Sequence, residues 1–215
     1  MDSVYVIGRD AVPSLLRLEA GEALRMTLVV PEGVSCRLAL EIDLDGPGAS
    51  LDLAGASLSR SDENVDIQVI VRHNAPGCSS EQLFKSVADG HSRAAFNGLV
   101  YVAPGAIRTV AHQQNHSLLL SAEALVESRP QLEIYADDVE CSHGATTGYL
   151  NPEELIYMRS RGIPEPEARR MQIEAFLAPI LSRAGISGPD TDGSDVISTG
   201  RSERRDLPSP TTDEQ

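Results

Sequence analysis

The densest reactive chemistry in the chain is Cys141-Ser142-His143. If this segment is a strand, residues 141 and 143 share one face and lie about 6–7 Å apart along it. A thiolate and an imidazole at that spacing can approach one zinc or iron ion, or can serve as nucleophile and base. A buried thiol beside a hydrogen-bonded imidazole is the plainer reading, and spacing alone leaves all three open. His112 and His116 are four residues apart. On a helix they would suggest a metal-binding face, whereas on a strand about 13 Å separates them, which disfavours a shared ion unless the strand bends, and polar turn or surface residues are the better reading. His73, His91 and Cys78 each stand beside turn residues and read as structural. The acidic run Tyr135-Ala136-Asp137-Asp138-Val139-Glu140 reads as a solvated turn. The sequence holds no P-loop, no G-x-G-x-x-G after a strand, no H-E-x-x-H and no G-x-S-x-G.

The composition narrows the setting in which such groups would work. With 32 acidic against 18 basic residues the formal net charge is -14, which disfavours nucleic acid and acidic membrane surfaces as partners. Lys85 is the only lysine. Three widely spaced cysteines without a C-x-x-C do not suggest a secreted disulfide framework. The first residues show no basic segment followed by an apolar one, and no apolar run nears the roughly 20 residues of a membrane span. A cytoplasmic protein with no membrane partner is expected.

The elements that must position these groups fall into two kinds. From about residue 24 to 150, short apolar runs (24–30, 36–44, 65–71, 98–102, 132–135) are broken by Gly, Pro, Asn and Asp. The alternation in Leu38-Ala39-Leu40-Glu41-Ile42-Asp43-Leu44 and Val65-Asp66-Ile67-Gln68-Val69 argues strands. A mainly β domain follows, as sandwich, barrel or solenoid; pattern alone does not choose. The texture changes at Asn151-Pro152-Glu153-Glu154, a helix start with Asn as cap and Pro at the first position. That helix is expected to reach about Arg161 and stop at Gly162. A second begins at Pro164, with Ile173, Phe176, Leu177, Ile180 and Leu181 on one stripe, a kink or end near Pro179, and a close at Gly185. The stripe must bury itself on the β domain, on a partner, or on both. The expected units are an N-terminal segment 1–23, a β core 24–150, a helical domain 151–185 and a disordered tail 186–215, whose Gly, Ser, Thr, Pro and Asp cannot offset the cost of ordering.

Several ordered blocks resemble the SufB/SufD family of iron–sulfur cluster assembly proteins, on its SufD-like side. The main block runs Pro130-Gln131-Leu132-Glu133-Ile134-Tyr135-Ala136-Asp137-Asp138-Val139-Glu140-Cys141-Ser142-His143-Gly144-Ala145-Thr146. The helix entry Leu155-Ile156-Tyr157-Met158-Arg159-Ser160-Arg161-Gly162-Ile163 is similar to the family's next block. Upstream, His73-Asn74-Ala75-Pro76, Gly90-His91-Ser92-Arg93, Tyr101-Val102-Ala103-Pro104-Gly105-Ala106 and Asn115-His116-Ser117-Leu118-Leu119-Leu120-Ser121 follow in family order. The likeness runs from about residue 73 to 181. Before about Asp66 only strand texture is shared, and the chain reads as shortened at its N-terminus.

The resemblance implies a right-handed parallel β-helix (a β-solenoid) followed by a small helical domain. It implies a non-catalytic scaffold of the SUF system that pairs through its β-helix with a SufB-type or identical subunit and docks a SufC-type ABC ATPase through its helices. Leu155, Ile156, Ile173, Phe176, Leu177 and Ile180 are the expected docking residues. His143 matches a SufD histidine implicated as an interface ligand, and Cys141 the cysteine beside it. The SufB-type scaffold cysteine would align near Asn115, so this chain lacks it. A transient iron or iron–sulfur cluster at a subunit interface is implied, with none held stably by this chain alone. A solenoid interaction module without a direct cluster role is the alternative, and an enzyme built on Cys141 and His143 or on acidic solenoid residues a more distant one.

Overall fold

The structure, a computed structural model, describes residues 1–186. The expectation for the tail lies outside the described residues, except that Ile186 packs beneath the second helix. Eleven strands precede two helices: β1 (Asp2–Val6), β2 (Leu15–Leu18), β3 (Ala23–Val30), β4 (Cys36–Leu44), β5 (Ser50–Ser59), β6 (Asn64–His73), β7 (Ser79–Ala88), β8 (Arg93–Val102), β9 (Val110–Leu119), β10 (Leu125–Ile134), β11 (Glu140–Tyr149), α1 (Pro152–Ser160) and α2 (Glu165–Leu181). Odd strands form one sheet in the order β1-β3-β5-β7-β9-β11, and even strands form the other in the order β10-β8-β6-β4-β2. Every pairing is parallel. Successive strands alternate between the sheets, so the chain winds as a β-solenoid of about five coils. Side-chain bonds between adjacent coils join residues 28 to 34 apart. The repeat is one of register, not of residues, and this is why no sequence repeat is visible.

The solenoid begins at Asp2, not near residue 24. The segment 1–23 contributes β1 and β2, which pair with β3 and β4. Five and four residues carry too little alternation to announce themselves, and they gain burial only from the neighbouring coil. The early interior is apolar: Met26, Leu28, Leu40, Ile42, Leu44, Leu53, Val69 and Val71 have no exposed surface. Each such side chain contributes about 1.5–3 kcal/mol on burial. Two glycines are set by close approach. A Cβ on Gly55 would collide with the Phe84 ring, and one on Gly98 with the Gln113 amide. Phe84 then stacks on Phe96 at 4.4 Å between centroids, tying the two sheets together.

The helix pair starts as its sequence dictates. The Asn151 side chain accepts from the Glu153 amide at 3.0 Å, Pro152 opens α1, and Gly162 turns the chain at φ 88°. α2 passes through Pro179 and ends two residues later, so the proline marks its last turn. Its stripe lies on the outer face of the odd-strand sheet. Ile173, Leu177, Ile180 and Leu181 pack with Ala54, Ala56, Leu58 and Val87, and half-buried Phe176 borders them. Ile173, Leu177 and Ile180, expected to dock a partner, are therefore covered by the chain's own solenoid; small residues on β5 let the helix sit close enough to exclude water. Ile156 stays 65% exposed. Polar ties fix the position. Lys85 Nζ donates to the Phe176 carbonyl at 2.8 Å and lies 4.7 Å over the Phe176 ring. Burial holds this amine below the ordinary lysine range. Arg183 binds the Asp52 carboxylate at 2.7 Å.

Two outcomes check this packing. Leu177→Ala is expected to lower unfolding free energy by about 2–4 kcal/mol in urea melts, as for a buried core leucine. His73, wholly buried with Nε2 2.9 Å from Ser80 Oγ, has its pKa pushed down by burial to about 4. The fold holds this ring neutral, so its contribution is complete above pH 6.5 and is lost as pH falls toward 4. That loss is on the order of 3 kcal/mol. The gap in stability between wild type and His73→Gln should narrow over this window in melts taken at successive pH values.

Candidate functional site at the open end of the solenoid

β11 pairs only with β9, and β10 only with β8, so the last coil has no successor. Register stacks Cys141 on Ala111, His143 on Gln113, Ala145 on Asn115 and Thr147 on Ser117. The four β9 residues are buried on the interior face. Their β11 neighbours occupy the same face one coil further on, where none of the described residues forms a further coil over them. Cys141 is half-buried, and His143, Ala145 and Thr147 are exposed. The sequence expectation that residues 141 and 143 share a strand face holds.

The two donors differ in setting. Cys141 packs among Val100, Val102, Ala106 and Ala111, with Leu132, Ala136 and Val139 around it. Burial pushes its thiol pKa up, and the Glu140 charge adds to this, while a hydrogen bond from the Ala111 backbone opposes both. Alone it is a thiol at neutral pH, not an activated nucleophile, since reactive cysteines sit in electropositive surroundings. A metal ion would be needed to hold it as thiolate. His143 has an exposed ring with no hydrogen bond or ion pair among the described residues. Both ring nitrogens are thus free to meet a ligand arriving at the open end. The donor set is one sulfur and one nitrogen, half of what a cluster or tetrahedral ion takes. Among the described residues no three His, Cys, Asp or Glu side chains converge on one point.

The other histidines are engaged elsewhere. His112 and His116 lie on the outer face of β9, opposite to His143 in the β9–β11 sheet. His112 Nδ1 meets Ser142 Oγ at 2.7 Å, with its Nε2 3.8 Å from Glu81 and 3.9 Å from Glu140. His116 Nδ1 meets Thr146 Oγ1 at 2.7 Å, and burial and the nearby Lys85 charge hold its pKa down. They join β11 to β9 one by one, each through its own hydroxyl partner. The acidic run forms the turn into β11, with Asp138 at φ 56°.

Sequence reasoning missed the polar interior beneath the site. Gln82, Gln113, Asn115 and Ser117 are buried on the inner faces of β7 and β9. Gln113 Nε2 donates to Gln82 Oε1 at 2.9 Å, and Asn115 Nδ2 to Ser128 Oγ at 2.8 Å. Gln113 Oε1, Asn115 Oδ1 and Ser117 Oγ have no partner in the structure. The available signal was Ala111, Gln113, Asn115 and Ser117 at period two; because both faces of β9 are polar, alternation of polarity could not reveal it.

Comparison with known proteins places this architecture. Residues 15–176 match the family described as "SUF system FeS cluster assembly, SufBD core domain". The chain is 43% identical to the iron–sulfur cluster assembly protein SufD of Escherichia coli over 135 residues, 63% of this chain and 32% of that protein. SufD of Bacillus subtilis is 32% identical over 146 residues, 68% of this chain and 33% of that protein. A SufBD family protein of Mycobacterium tuberculosis is 30% identical over 190 residues, covering 84% of this chain and 45% of the relative. The chain thus spans a third to under half of the length of these relatives. The match reaches Leu15, well upstream of the sequence blocks that begin at residue 73. A parallel solenoid with a helix pair on its flank, a Cys-Ser-His strand at its open end and this match together mean that the chain belongs to the SufB/SufD family and carries its core domain.

Proposed function

We propose that the protein is a non-catalytic scaffold subunit of the cytoplasmic SUF iron–sulfur assembly machinery. In this reading it pairs end to end with a SufB-type or identical subunit, and iron or a nascent cluster is cargo at the junction. The observation that carries the reading is the uncapped last coil, which presents His143 and Cys141 on an interior face left open to a second subunit. Edge strands with free backbone groups take up further strands readily. A second subunit would continue the stack and bring the donors that this chain lacks.

The helix pair supplies the second contact. With Ile173, Leu177 and Ile180 committed to the solenoid, the docking face for a SufC-type ATPase reduces to the outward side of α1. Ile156 and Tyr157 are 65% and 59% exposed there, Leu155 and Met158 half so, and Met171 of α2 is 40% exposed. Exposed aromatic and aliphatic side chains on the helix pair fit a protein interface.

Two outcomes test the reading. His143→Ala should leave the melting temperature unchanged, because the ring is exposed and unbonded. In anaerobic reconstitution with SufB- and SufC-type partners it should cut cluster loading, read by visible absorption, by about tenfold or more. Unchanged loading would favour a solenoid interaction module without a cluster role. Ile156→Glu with Tyr157→Glu should abolish co-elution with the ATPase while the chain stays folded; retained co-elution would move the docking site elsewhere.

A further inference from the structure

We infer that Gln113 is a positioning residue for His143: its Oε1 accepts the imidazole N–H and aims the other ring nitrogen out of the open end. The inference rests on His143 being the ligand proposed above, and asks what orients it.

Three observations converge on the pair. Gln113 is fully buried, and its Nε2 is committed to Gln82 Oε1 on the preceding coil at 2.9 Å. With the amide nitrogen committed to β7, the amide oxygen is buried and has no partner. The residue stacked on Gln113, on the same face and in register, is His143. Adjacent strands lie about 4.8 Å apart, so a rotamer change of an exposed ring closes the distance to a hydrogen bond.

The amide itself is held from the far wall. Gly98 leaves the space that Gln113 occupies, since any Cβ there would collide with the amide. Gly98 is buried on the inner face of β8, opposite β9, and so functions as a socket for this side chain. An unpaired buried amide oxygen is a desolvation cost, which the His143 bond removes. A metal-binding imidazole that donates its second N–H to such an acceptor has its tautomer and ring plane fixed.

The test uses the full chain by itself, labelled with 15N-histidine, and reads the ring N–H of His143 by NMR; the assignment comes from the signal lost in His143→Gln. Wild type should show an exchange-protected ring N–H assigned to His143, beside that of buried His73. Gln113→Met, close in volume but without an acceptor, should lose it. Asn115→Leu, which breaks the neighbouring bond to Ser128 and leaves the Gln113–Gln82 bond in place, should keep it. Persistence of the signal in Gln113→Met, or its equal loss in Asn115→Leu, overturns the inference. Should Gln113→Met not fold, wild type decides, and the absence of a protected His143 N–H there overturns it. No cluster or partner enters this measurement. His143→Ala can therefore fail in reconstitution while the N–H is present, or succeed while it is absent, and the two proposals fall separately.

Discussion

Parallel stacking in register governs everything else in this protein. Each strand pairs with the one a full coil away, so a residue at a given position lies directly over its counterpart and all inward-facing side chains form axial columns. Neighbours along a column must fit one another in size and hydrogen bonding. Phe84 finds its space over Gly55, and Gln113 bonds Gln82. The winding also decides where columns stop. Among the described residues they end at β10 and β11, and positions that are core one coil earlier become surface there.

The character of the interior changes along the axis in a way that suits this ending. The first coils are filled by Leu, Ile, Val and Met, and they supply most of the hydrophobic stabilisation. From β7 onward Ser80, Gln82, Ser86, Gln113, Asn115 and Ser117 join Phe84, Phe96, Val100 and Val102 on the inward faces. Buried amides and hydroxyls add less stability and exact a cost wherever a partner is missing. A solenoid built for stability alone would not place them there. Their position beneath Cys141 and His143 joins a rigid apolar base to a polar end able to hold donors in defined orientations.

The helix pair solves a different problem. The odd-strand sheet would otherwise expose Ala54, Ala56, Leu58 and Val87, and α2 covers them with its apolar stripe. The one lysine of the chain spans the joint, bonding the helix backbone and its aromatic ring at once. α2 is thereby part of the core, while α1, with no buried residue, remains available on the outside.

Much of this was legible in the residues. Alternation marked β4 and β6, Asn151-Pro152 and Gly162 marked the bounds of α1, and Cys141-Ser142-His143 placed two donors on one strand face, because period two and capping are local properties. Other features were decided only by long-range pairing. β1 and β2 are strands because a neighbour coil gives them burial. Ile173, Leu177 and Ile180 face inward because β5 offers small residues opposite them, which no local pattern in α2 records. Gln113 lies under His143 because residues 30 positions apart are stacked by winding. The sequence by itself set the chemistry and the local elements, and the closing of the coils decided which of those groups are core, which are site, and what lies beneath them.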